Sequence, residues 1–131
     1  MLRKVDVRDV WDAISPGVLE VWTVSRPDWR PEDLYACCLY GQADIYMPED
    51  TNGFAIVQER LMPFRNKKTL LIWVSWDKTG IAFRKYIREI ERIAAERGCC
   101  AVEFWSPRKG MQKLSGRHGY EPCTTIYQKV F

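Results

Sequence analysis

Thirteen residues, Leu70-Leu71-Ile72-Trp73-Val74-Ser75-Trp76-Asp77-Lys78-Thr79-Gly80-Ile81-Ala82, constrain this chain more than any others. A continuous apolar run ends in a short polar turn containing glycine, and a strongly amphipathic segment follows at once. The pattern predicts a buried strand feeding a helix whose first amides face the end of that strand. A helix start of this kind has unpaired N–H groups and the positive end of the helix dipole, so it suits a phosphate or another anion.

The helix predicted next places Phe83, Tyr86, Ile87, Ile90, Ile93 and Ala94 on one stripe, with Arg84, Lys85, Arg88, Glu89, Arg92 and Glu96 opposite. Gly98 suits a left-handed exit. Cys99 to Trp105 is a second apolar strand. Strand, helix and strand then form a crossover, which makes the two strands parallel and the connection right-handed.

Upstream, Leu2 to Val5 forms a short strand and Asp6 caps a helix with Val7, Val10, Trp11 and Ile14 on one face. Ser15-Pro16-Gly17 is expected to stop it. Val18 to Ser25 fits a helical period and an alternating one, with the helix favoured. Pro31 suits a first helical position, and Glu32 and Asp33 a first turn, of a helix burying Leu34, Cys37 and Cys38.

Ala43, Ile45 and Met47 alternate as a half-buried strand, and Pro48 to Gly53 is a hairpin loop. Phe54 to Leu61 returns, and Met62 to Lys68 turns the chain into the central strand. After Trp105, Ser106-Pro107 opens a short helix carrying Met111 and Leu114, and Thr124 to Val130 alternates as a last strand.

With 131 residues, 47% of them hydrophobic, the expectation is one domain over residues 1–131. No run approaches the roughly 20 apolar residues of a membrane span, and the first residues lack the apolar centre of a secretion signal. A soluble protein of the cytoplasm is expected. Twenty basic and seventeen acidic side chains are scattered along the sequence, which argues against nucleic acid. The five cysteines fall as two vicinal pairs and Cys123, a pattern of reduced thiols. Neither they nor His118 have the spacing of a metal site.

The order of elements, helices first, then a three-strand meander, helix, parallel strand, short helix and last strand, resembles the Gcn5-related N-acetyltransferase superfamily over nearly the whole chain. That family seats acyl-CoA phosphates on a Gln/Arg-x-x-Gly-x-Gly/Ala turn, and Asp77-Lys78-Thr79-Gly80-Ile81-Ala82 stands in its place. Gly80 and Ala82 match. Asp77 replaces the basic or amide residue, and a carboxylate there repels a diphosphate. Leu114-Ser115-Gly116-Arg117-His118-Gly119-Tyr120 is similar to the family's Leu-Tyr-x-x-x-Gly-Phe stretch, with Ser115 where the proton-donating tyrosine usually stands. Cys38-Leu39-Tyr40-Gly41, the Trp-rich strand and Phe83-Arg84-Lys85 also look like the acetyltransferase-like proteins of short-tailed bacteriophages.

The resemblance implies an α/β fold, with a mixed six- to seven-strand sheet, helices on both faces and a central β-α-β crossover. It implies an N-acetyltransferase that takes acetyl-CoA and an amine acceptor, or a catalytically inactive binding or virion-associated descendant. It admits a homodimer and, for a phage protein, virion partners in a host cytoplasm or particle. The cofactor-binding residues it implies are Lys78, Thr79, Gly80, Ile81, Ala82 and Lys85 for the phosphates. Ile72, Val74 and Ser75 would lend backbone to pantetheine. Glu59, Glu103 and Asp44 are candidate bases, Ser115 occupies the acid position, and Tyr120 or Tyr127 is a substitute for it. Trp29 and Trp76 are candidates for a binding surface. The same strand–helix–strand residues also read as a plain parallel pair in an α/β core.

Overall fold

The computed structural model describes residues 1–106, 111, 113 and 116–131. Its elements are β1 (Leu2–Val5), α1 (Val7–Ser25), α2 (Pro31–Leu39), β2 (Asp44–Pro48), β3 (Gly53–Met62), β4 (Lys67–Asp77), α3 (Ala82–Glu96) and β5 (Ala101–Phe104). The strands lie in chain order in one sheet; the first four are antiparallel neighbours and β4 and β5 run parallel. This is the mixed α/β arrangement expected for the crossover. Among the described residues it has five strands, not six or seven.

One face of the sheet carries α1 and α2, with Val18, Leu34, Ile45, Ile56 and Val74 at the centre of the packing. The other face carries α3, whose Ile90, Ile93 and Ala94 meet Val57 and Leu70. Because successive strand residues point to opposite faces, Ile56 joins the first core and Val57 the second.

β4 breaks that alternation. Ile56 pairs with Val74, but Val57 pairs with Ile72, so Trp73 is an extra residue opposite β3, a β-bulge. Ile72 packs toward α3, whereas Trp73 and Val74 both pack toward α1. Beyond the bulge the parity of the strand is reversed, which turns Ser75 and Asp77 toward the α3 face. The consequence for the site is described below.

Two expectations are corrected. α1 does not stop at Ser15-Pro16-Gly17 but continues to Ser25, settling Val18–Ser25 as helix. An internal proline costs about 3 kcal/mol. Burial offsets it here: a Cβ on Gly17 would lie 2.9 Å from Phe54 Cε1 and from Trp76 Cδ2, so the helix backbone sits directly on the sheet. The tail is the second correction. Thr124–Val130 belongs to no strand, and Ile126, Tyr127 and Val130 are exposed. Alternation makes a strand only where one face has something to cover.

The expected short helix opening at Ser106-Pro107 lies largely outside the described residues, as does Ser115. Local capping follows the sequence. Asp6 accepts from the Arg8 amide (2.9 Å), Asp33 from the Arg30 amide (2.8 Å), and Gly98 leaves α3 with a φ of +76°. No helix among the described residues is long and apolar enough to cross a membrane.

Candidate active site

β4 and β5 are paired only from Thr69/Ala101 to Ile72/Phe104. β4 then continues for five more residues to Asp77 while β5 ends, and the bulge at Trp73 lies directly beyond the last pair. Among the described residues, Trp73–Asp77 thus has a strand neighbour on the β3 side alone. An exposed strand edge must satisfy its N–H and C=O groups with something, and an extended arm carrying amides is one way to do it.

The turn from β4 into α3 borders a cavity of about 610 Å³ that Ser75, Lys78, Gly80, Ala82, Lys85 and Tyr86 help to line. Gly80 has a φ of +77°, a left-handed conformation that disfavours side chains, and a Cβ there would meet nothing within 4 Å. Space above the turn is open. The amides are another matter. Asp77 Oδ2 accepts from the backbone N–H of Ile81 (3.0 Å) and of Ala82 (3.1 Å) and from Thr79 Oγ1 (3.0 Å). The Lys78 amide donates to the Asn52 carbonyl (2.8 Å).

Asp77 reaches these amides because of two local features. The reversed parity beyond Trp73 puts it on the α3 face, and Gly53, its partner on β3, leaves room for it. A Cβ on Gly53 would stand 2.8 Å from Asp77 Cβ. Neither Gly53 nor the bulge was legible as functional, because a continuous apolar run from Leu70 to Val74 carries no alternation that an extra residue would interrupt.

The space between the start of α3 and the end of β5 is aromatic. Phe83 meets Phe104 and His118 edge-on at 5.5 Å, and Phe104 lies 5.5 Å from Tyr120. Tyr120 Oη donates to Glu91 Oε2 (3.1 Å), so its hydroxyl points at α3. Burial, and then the negative charge of Glu91, push its pKa well above the usual phenol range, which makes it a poorer acid.

The candidate bases are dispersed. Glu103 pairs with Leu71, one residue before the strands part, on the face away from α3; its Oε1 accepts from Thr69 Oγ1 (3.0 Å) and is ion-paired with Arg60. Glu59 is six residues along β3 from Gly53, about 20 Å from the turn at strand spacing. It pairs with Lys68 (3.0 Å) and Arg97 (3.3 Å), and the Lys68 hydrogen bond holds its carboxyl below the usual range. Asp44 pairs with Arg97 (2.9 Å) and Lys4 (3.3 Å). The structure thus brings Ile72, Ser75, Lys78–Ala82 and Lys85 to one cavity, buries Val74 on the α1 side, sets Glu103 one residue before the strands part on the face away from α3, and leaves Glu59 and Asp44 at a distance.

On the α1 side of the opening, the bulged Trp73 meets Trp29 edge-on at 5.6 Å, and Trp22 Nε1 donates to the Trp29 carbonyl (2.7 Å). Trp76 donates through Nε1 to Glu20 (2.9 Å) and stacks near Phe54. Both suspected surface tryptophans are half-buried and committed to packing.

No protein-family model matches the chain, and no curated protein matches it at a significant level. Solved structures do. A ribosomal-protein-alanine N-acetyltransferase from Brucella melitensis biovar Abortus 2308 is similar with a TM-score of 0.71 at 16% identity, covering 100% of this chain and 99% of that one. An aminoglycoside acetyltransferase from an uncultured soil metagenomic sample, solved with sisomicin, is similar with a TM-score of 0.67 at 12% identity, covering 100% and 96%. At such identities the likeness establishes the fold: the chain has the architecture of the acetyltransferases.

Acetyl-CoA, the donor that the sequence resemblance leads one to expect, has two halves, and the residues here fit them unequally. The one-sided edge of β4 suits the amides of pantetheine. The amides of Ile81 and Ala82, which would meet the diphosphate, already hold a carboxylate.

Proposed function

We propose that this chain is an N-acyltransferase that draws the pantetheine arm of an acyl thioester into the opening between β4 and β5 and passes the acyl group to an amine. The observation that carries the reading is the parting of the two strands after Ile72 and Phe104, in a fold shared with acetyltransferases. Acetyl-CoA is the donor the fold suggests. Its phosphates would face Lys78, Thr79, Gly80, Ile81, Ala82 and Lys85, and its arm the backbone of Ile72, Val74 and Ser75.

In this reading the amine approaches from the face away from α3, where Glu103 lies. A new N–C bond forms as the C–S bond breaks, the amine's proton passes to the Glu103 carboxylate, and the thiolate leaves. Arg60 and Thr69 orient that carboxylate. Tyr120 is not assigned as the acid, because its proton is directed at Glu91.

The test is amine-dependent thiol release from S-acetylpantetheine and from acetyl-CoA, across a panel of amines. Release is expected, with a fall of about 100-fold or more in Glu103→Gln. No release with either thioester and any amine would remove catalysis from the reading. A second reading, a binding module without turnover, is favoured by the commitment of Tyr120 and Glu103 to other side chains; thioester binding by calorimetry in the absence of release would select it.

A further inference from the structure

The two halves of the opening disagree about the donor, and the disagreement identifies its class. A diphosphate at the start of α3 needs free amides and compensating positive charge. The first need is met only in part, since Asp77 Oδ2 takes the Ile81 and Ala82 amides and the Thr79 hydroxyl together. The Lys78 amide is engaged as well. As for charge, Asp77 brings a negative one, and the Lys85 ammonium is drawn over the Tyr86 ring, 5.3 Å from its centre.

Turning the carboxylate aside does not clear the site. Asp77 Cβ is held where Gly53 admits it, so a rotated side chain keeps its charge within one side-chain length of any bound phosphate. By contrast, the edge beyond Ile72 is indifferent to charge, since it offers backbone groups alone.

We propose that the site takes acyl-pantetheine thioesters that carry no diphosphate, with the Asp77 carboxylate standing where the diphosphate of CoA would bind. This rests on the thioester reading above. The shared chemistry is an acylated pantetheine arm, either free or held through a single phosphate on a carrier.

The experiment is calorimetry on the full chain with S-acetylpantetheine, S-acetyl-4′-phosphopantetheine and acetyl-CoA, each titrated into wild type and Asp77→Asn. Asparagine keeps an oxygen for the amides and removes the charge, and circular dichroism checks that the variant is folded. Wild type is expected to bind acetyl-CoA no more tightly than S-acetylpantetheine. The variant is expected to raise the acetyl-CoA to S-acetylpantetheine affinity ratio at least tenfold.

The phosphopantetheine thioester separates the sources. Binding equal to that of S-acetylpantetheine supports a carrier-borne arm, and weaker binding supports a free one. A wild-type preference of tenfold or more for acetyl-CoA overturns the proposal while leaving the thioester reading intact, and so does an affinity ratio that Asp77→Asn does not move. If no thioester binds either protein, both fall together.

Discussion

β4 is two strands in one. From Thr69 to Ile72 it is paired on both sides, buries Leu70 and Leu71, and is bordered by carboxylates that are tied to cations, Glu59 to Lys68 and Glu103 to Arg60. From Trp73 to Asp77 it has one strand neighbour among the described residues, exposes Ser75, and ends in a carboxylate tied to backbone amides instead. A single extra residue separates the two regimes. Had the alternation of Leu70 and Ile72 continued, Asp77 would face α1 and the start of α3 would be without its cap. The scaffold and the candidate site are consecutive stretches of one strand, and the bulge decides what the second stretch presents to the helix.

The largest expected effect lies in the closed half. Leu70 is 0% exposed and packs against Ile90, Ile93 and Ala94. Leu70→Ala should cost about 2–5 kcal/mol by urea denaturation, because the lost transfer energy is joined by a cavity the sheet cannot collapse. Trp73→Ala, in the open half, removes a half-buried ring held edge-on by Trp29 and should cost less. The reverse order would mean that the bulge, not the paired segment, is what holds β4 in place.

Next in size is Gly53→Ala. Its new methyl would stand 2.8 Å from both Asp77 Cβ and the Trp76 carbonyl oxygen, so strand ends must separate. Overpacking of this kind costs about 1–3 kcal/mol. The variant sharpens the comparison because its damage should be local: amide exchange should accelerate at Ile81 and Ala82, whose N–H groups lose Asp77, with protection at Leu70 and Leu71 unchanged. Uniform loss of protection across β4 would show that the two halves open as one unit.

Much of this architecture could be read in the residues. The Leu70–Trp76 run, the stripe from Phe83 to Ala94 and the apolar Cys99–Trp105 segment make a parallel crossover hard to avoid, and the structure has it. What pattern could not supply was anything depending on a partner distant in sequence. Pro16 reads as a stop until Gly17 is seen lying on Phe54 and Trp76. Thr124–Val130 reads as a strand until it is found with nothing to cover. The charge of Asp77 was visible as unfavourable to a phosphate, but that it occupies the amides itself depends on Gly53, twenty-four residues earlier, and on the change of parity at Trp73. Glu59 and Glu103 were both candidate bases, Glu103 the more notable for its apolar surroundings, and only the register shows Glu103 one residue before the strands part and Glu59 far along the sheet.

The smallest prediction concerns how the closed half is fastened at its edge. The hydrogen bond from Lys68, with a further one from Arg97, holds the Glu59 carboxyl below its ordinary value of 4.5 in the folded chain, against the opposing effect of burial. Between the two values the unfolded chain binds more protons than the folded one. The pair's contribution is therefore fully present above pH 4.5 and is lost as pH falls through the folded value. A partly exposed pair of this kind is worth about 0.2–1 kcal/mol. Glu59→Gln should accordingly show a shallower fall in urea midpoint between pH 6 and pH 3 than wild type, and added salt should narrow the gap between them. An identical acid limb in the two proteins would mean that the ion pairs bordering the closed half are incidental, and that its strength comes from burial and strand pairing alone.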